Sequence, residues 1–140
     1  MPTIDRRLSW SVSLVVLLAL LLADPAQRSL DGLWRNSTGS VIVAIKPCGA
    51  ALCGTVEWAS EQAQADARRG GTDPLIGVEV LSRFEMKRPG RWRGKLFVPD
   101  ANRRATAELR LLDGDQLKVT GCALAGLICK SEVWIRADAQ

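Results

Sequence analysis

The sequence predicts an all-β fold: a small, closed, antiparallel barrel of about eight strands in up-and-down order, with one short surface helix, behind an N-terminal signal peptide. Three observations point there. Short runs with period-two apolar alternation succeed one another, separated by turn residues. A single stretch, "SEQAQADARRG", interrupts that rhythm with helix-forming residues. The chain opens on a basic and then apolar segment, and its four cysteines all come later.

The leader is read over residues 1–26. Arg6 and Arg7 form its basic region, and an apolar stretch runs from Val12 to Ala23, broken only by Ser13. That is shorter than the ~18–20 apolar residues of a membrane-spanning helix and fits a secretory signal. No clean A-x-A site precedes Asp24–Pro25, so cleavage after Ala23 and after Ala26 both stay open, with an uncleaved anchor as the alternative. Residues 27–140 then form the exported domain, periplasmic or secreted. Removing residues 1–26 leaves the net charge of +4 unchanged, because Arg6 and Arg7 cancel Asp5 and Asp24. Such basicity favours acidic partners, whether lipid head groups, glycans or proteins. Nucleic acid is not expected of an exported chain without a binding motif.

The elements follow in order. "GLWR" (Gly32–Arg35) is the first strand and "NSTG" its turn. "SVIVAIK" (Ser40–Lys46) is nearly continuous in β-branched residues, as in a strand buried on both sides. After a cysteine-flanked turn comes "GTVEWA" (Gly54–Ala59). Ser60 then suits a helix N-cap, Arg68 and Arg69 the last turn, and Gly70 the stop. Strands resume at "VEVLSRF" (Val78–Phe84), with "KRPG" as a turn. In "RWRGKLFV", Trp92, Gly94, Leu96 and Val98 share the inner face, opposite Arg91, Arg93, Lys95 and Phe97. "ATAELRLL" points Ala105, Ala107, Leu109 and Leu111 inward, and "DGD" signals a hairpin. "QLKVTGC" and "CKSEVWIR" complete the set, with Leu117, Val119 and Gly121 inward. Alternation alone does not separate a closed barrel from a sandwich, which remains the alternative.

In an exported chain of this size the cysteines read as disulfides. Each pair, Cys48 with Cys53 and Cys122 with Cys129, brackets a short connection between two strands, where facing residues lie ~4.5–5.5 Å apart. These pairings are favoured, with the two crossed connectivities left open. Each pair is also followed five residues later by a tryptophan, Trp58 or Trp134, which reads as convergence rather than duplication.

Gly32 and Trp34 on the first strand, with Arg136 at the end of the last, resemble the calycin superfamily, which includes the lipocalins. There a Gly-x-Trp is covered by an arginine from the final strand, and the resemblance implies that pairing for Trp34 and Arg136 at the barrel's end. The motifs "DGLWR", "PCGAALCGTVEW", "DPLIG", "GRWRGKLFVPD", "ELRLLDGDQLKVTGC" and "WIR" resemble, in order and over nearly all the exported part, the bacterial domain-of-unknown-function 2147 family. That resemblance implies a secreted, lipocalin-like barrel and no established activity. The chain departs from the family pattern at Ala105, where an aromatic is common. It departs again at Asn102, which stands for a turn glycine and can take its positive φ.

For function, the barrel interior comes first. Phe84, Trp92, Leu96, Val98, Ala105, Ala107, Leu109 and Val119 are the candidate residues for holding a small apolar or amphipathic ligand, with Val78, Val80 and Leu117 also inward. Small side chains at Ala105, Ala107, Gly94 and Gly121 leave room for a guest, whereas a packed core fills it. The basic face of Arg91, Arg93 and Lys95 suggests docking to an anionic envelope surface, against an ordinary solvated face. A further alternative is a protein-interaction module, such as an inhibitor of an extracytoplasmic hydrolase. Catalysis is not expected. There is no histidine, the cysteines are assigned to disulfides, and nothing fixes two of Glu57, Asp73, Asp100 and Glu132 at a catalytic separation. No metal and no cofactor are expected.

Overall fold

The computed structural model describes residues 30–137, so the leader assigned to residues 1–26 lies outside the described residues. Eight strands follow the alternating segments: β1 (Gly32–Arg35), β2 (Val41–Cys48), β3 (Ala51–Ala59), β4 (Glu79–Arg88), β5 (Arg91–Val98), β6 (Arg103–Asp113), β7 (Gln116–Ala123) and β8 (Ile128–Arg136). Each pairs antiparallel with its neighbour in sequence, and β8 returns to β1 through Trp34↔Arg136 and Arg35↔Ile135. The ring is closed. Closure removes the sandwich alternative and leaves no free sheet edge.

The two ends of this barrel differ. At one end β2–β3, β4–β5 and β6–β7 turn; at the other β1–β2, β5–β6 and β7–β8 turn and the helix α1 (Glu61–Arg69) sits. The first end is closed by Leu30 and Trp34, both fully buried. Trp34 Nε1 donates to the Leu30 carbonyl at 2.9 Å, and the Arg136 guanidinium lies 4.2 Å from the centroid of the Trp34 ring. The same guanidinium donates to the carbonyls of Asp31 and Gly114, both at 2.9 Å, tying the β6–β7 turn to the chain entering β1. A planar fork can stack and bond in this way at once; an ammonium cannot.

Above this plug, Ile45, Phe84, Trp92, Leu109 and Leu117 fill the closed half, and Leu81, opposite Leu96, lies at its upper edge. Gly94 is part of that packing. A Cβ there would stand 2.8 Å from the Phe84 ring and 2.7 Å from the Ser82 carbonyl, so the space opposite Gly94 belongs to Phe84 and not to a guest.

Strand β4 departs from simple alternation. Val80 and Leu81 are both buried, Arg83 has φ 54, and the pairing with β5 slips between Ser82 and Glu85. A bulge re-aims the chain there, so Leu81 turns inward, while Val78 precedes the strand and only packs against the core. The strand also runs on through Lys87 and Arg88, leaving Pro89–Gly90 alone as the turn. Asn102 has φ 47, the conformation expected of it.

Both disulfides join the favoured partners, Cys48–Cys53 and Cys122–Cys129, with Cα separations of 5.8 and 4.1 Å. Cys122 faces Cys129 directly across the β7–β8 ladder. Cys48 faces Ala51 and Cys53 faces Lys46, so the first bridge runs diagonally. The β2–β3 hairpin turns at the closed end and β7–β8 at the open end. Strands of 8 residues, at ~3.3 Å per residue, separate the two pairs by roughly 25 Å, which rules out the crossed pairings. The matching tryptophans have opposite fates: Trp134 is buried inside, and Trp58 is 46% exposed.

Helix α1 begins on Ser60, whose Oγ accepts from the Ala63 amide at 3.1 Å. Its stop has a different cause from the usual left-handed glycine. Gly70 has φ −80, and a Cβ on it would fall 2.0 Å from the Asp100 carbonyl. Glycine is needed for close approach to the β5–β6 turn, where Thr72 Oγ1 also donates to the Pro99 carbonyl at 2.9 Å. The helix is therefore clamped over the open end.

Candidate functional site

The open half of the barrel holds a cavity of about 870 Å³. Its walls are mostly aliphatic: Val43 from β2, Val56 from β3, Val80 from β4, Leu96 and Val98 from β5, and Val119 from β7, with Trp134 from β8 lower down. Alternation on a closed barrel explains the set, since every second side chain on each strand must enter the lumen. Ala105 adds little bulk, whereas the space beside Gly121 is taken by Leu96, whose Cδ2 would stand 3.1 Å from a Cβ there. Helix α1 supplies part of the wall through Ala63 and Ala67, four residues apart and so on one helix face.

Polar groups gather at the rim. Asn36, Thr38 and Ser40 come from the β1–β2 turn, Gln62 and Asp66 from α1, and Lys130, Ser131 and Glu132 from β8. The β1–β2 turn is fixed by Asn36, whose Oδ1 accepts from the amides of Ser40 and Val41 at 2.9 and 3.0 Å. Glu132 is half-buried and held from two sides. Its carboxylate accepts from Ser37 Oγ and from Trp134 Nε1, both at 2.5 Å, which holds the indole against the cavity wall. The arrangement offers an apolar chamber with a fixed carboxylate and an ammonium at its mouth. It can take up an apolar body and leave a polar end in water.

The interior residues named from the sequence divide between the two halves. Leu96, Val98, Ala105 and Val119 line the cavity. Phe84, Trp92, Ala107 and Leu109 are buried in the closed half and do not reach it. The sequence does not place Val43, Val56, Ala63 or Ala67 at the cavity, and it offers Glu132 only as one of four carboxylates and Trp134 only as the partner of a cysteine pair. Ala63 and Ala67 carry a signal in their i, i+4 spacing, but two alanines are too small to mark an apolar face on a helix otherwise rich in polar residues.

The basic face is also rearranged by pairing. Arg91 lies 3.6 Å from Glu108, while Arg93 has Glu108 across one ladder and Glu85 across the other. Lys95 donates to Thr106 Oγ1 at 3.2 Å. Two of the three cations thus stand beside carboxylates that sequence alternation does not reveal.

Among solved structures, the chain is similar to protein HP1028 from Helicobacter pylori, described as belonging to the lipocalin family. The TM-score is 0.60 at 13% identity, over 76% of this chain and 82% of that one. A redesigned β-barrel also aligns, with a TM-score of 0.47 and 16% identity over 80% of this chain and 92% of that one. The first likeness shows a lipocalin-like fold. No curated protein matches the chain in sequence. The model of the family DUF2147, described as uncharacterized protein conserved in bacteria, matches residues 32–136, and the chain belongs to that family.

Proposed function

We propose that this protein binds a small apolar or amphipathic molecule in the open half of its barrel, outside the cytoplasm and without catalysing a reaction. One observation carries the reading: a chamber of about 870 Å³ with largely aliphatic walls lies above a floor of buried side chains that includes Phe84, Trp92, Leu109 and Leu117. A domain of this size depends on burial for stability, and leaving this part of its lumen unfilled sacrifices packing that a purely structural barrel would use. The two disulfides and the leader read from residues 1–26 support an extracytoplasmic site of action. An apolar body would lie against Val43, Val56, Leu96, Val119 and Trp134, with a polar end toward Lys130 and Glu132 at the rim.

Native mass spectrometry of protein purified from the periplasm of its own host tests this. The expected result is a reproducible small-molecule adduct that disappears on denaturation. A variant with Val56→Phe and Val119→Phe, which points added bulk into the chamber, is expected to lose the adduct while remaining folded by circular dichroism. A bare wild-type protein, or an adduct retained by the folded double variant, would overturn the reading.

A further inference from the structure

The β7–β8 connection projects from the open end and is apolar throughout. Between Cys122 and Cys129 the chain reads Ala-Leu-Ala-Gly-Leu-Ile, with no charged or hydrogen-bonding side chain. Leu127 is 86% exposed, Leu124 67% and Ile128 52%. The tip is nonetheless ordered: Leu124 and Ala125 adopt left-handed φ values of 51 and 55, the Leu127 amide bonds to the Leu124 carbonyl at 3.2 Å, and a disulfide ties the base. Three aliphatic side chains are thus held out into solvent, where a soluble surface gains nothing from them.

Beside this tip runs a groove of about 620 Å³ on the barrel's outer face. It is lined by Arg83, Lys95, Arg103 and Arg104 on one side and by Ala123–Ala125 of the tip on the other. Among the described residues, no carboxylate lines it. The ion pairs among the described residues are Arg69–Asp66, Lys87–Glu85, Arg91–Glu108 and Arg136–Asp115, and none uses these four cations. Arg104 stacks over Phe97 at 5.2 Å, and the bulge that gives Arg83 its φ of 54 is part of the same strand face.

We propose that the tip and the groove together dock the open end of the barrel on an anionic phospholipid bilayer. The charge would draw the groove to the head-group phosphates, and Leu124, Leu127 and Ile128 would enter the acyl region just below. A soluble polyanion would use the cations and leave the tip exposed. An apolar protein surface would cover the tip and leave four cations unmatched. A bilayer of anionic lipid answers both. Ala123 borders the groove and the chamber alike, and Ile128 and Lys130 line the chamber, so docking turns the mouth toward the membrane. The docking itself rests on the tip and groove, independently of any ligand inside.

Co-sedimentation of the exported protein with vesicles of phosphatidylglycerol and phosphatidylethanolamine, compared with phosphatidylcholine alone, tests the proposal. Binding is expected on the anionic vesicles only, and is expected to weaken as salt rises. Replacing Arg83, Arg103 and Arg104 by Gln is expected to reduce partitioning on the order of a hundredfold, from the usual contribution per basic residue near such a surface. Leu124→Ser with Leu127→Ser is expected to lower it at least tenfold while preserving the salt dependence. Arg91→Gln with Arg93→Gln, where carboxylates already neutralise the charge, is expected to change it far less. Equal binding to both vesicle types, or equal loss in the last variant and the groove variant, would overturn the proposal. The Val56→Phe, Val119→Phe variant keeps tip and groove intact, so docking and ligand uptake can fail separately.

Discussion

Phe84 and Leu96 lie on adjacent strands and both point into the lumen, yet their truncation is expected to have different costs. Phe84 is 1% exposed and its ring rests on Gly94, with no room even for a methyl group between them. Phe84→Ala removes a ring from the packed half and leaves a void that its neighbours cannot fill, a loss of about 3–5 kcal/mol. Leu96 is half-buried, touching the Gly121 side of the lumen on one flank and the chamber on the other. Much of its surface already faces space, so Leu96→Ala is expected to cost about 1–2 kcal/mol, below the usual range for a fully buried leucine. Against a total stability on the order of 5–15 kcal/mol, the first change is severe and the second is mild. Urea unfolding followed by tryptophan fluorescence, with disulfides intact, reads the difference. With a slope of ~1–3 kcal/mol per molar, a gap of about 2 kcal/mol separates the midpoints by roughly 1 M. If Leu96→Ala shifts the midpoint as far as Phe84→Ala, the open half is packed like the closed half and the division of the barrel is wrong.

Arg136→Lys keeps the charge but loses the stacked fork over Trp34; a loss of about 1–2 kcal/mol in urea unfolding is expected, and an unchanged midpoint would show that charge alone holds that end. Opening the Cys122–Cys129 bridge with paired serines is expected to cost about 2–2.5 kcal/mol and to raise hydrogen exchange around Leu124–Ile128, whereas opening Cys48–Cys53 costs a similar amount and leaves that tip protected as before. Gly70→Ala places a Cβ where the Asp100 carbonyl now lies, so α1 must lift from the β5–β6 turn. Faster amide exchange across Glu61–Arg69 is expected, with the strands unaffected; unchanged exchange would mean that the helix does not depend on this contact.

Much of the barrel could be read locally. Strand positions follow from alternation in Trp92–Val98 and Ala105–Leu111, and Ser60 marks the helix start through a hydrogen bond made within one turn. The favoured disulfides also needed only hairpin geometry. What escaped depends on register and on contacts between distant segments. Nothing local announces the bulge at Arg83, and without it Leu81 cannot be placed inside. Arg91 and Arg93 look like free charges until the ladders bring Glu108 and Glu85 beside them. The eight interior candidates formed one list because period two gives facing and not depth. Depth along the strand separates Leu96 from Trp92, four residues earlier on the same face.

The open chamber is the central claim, and methyl NMR with a simple hydrophobe such as dodecanol tests it most directly. The expected result is saturable, concerted shifts at Val43, Val56, Leu96 and Val119, with the methyls of Leu109 and Leu117 in the packed half unmoved. Shifts confined to exterior residues, or none at concentrations that saturate comparable apolar sites, would contradict it.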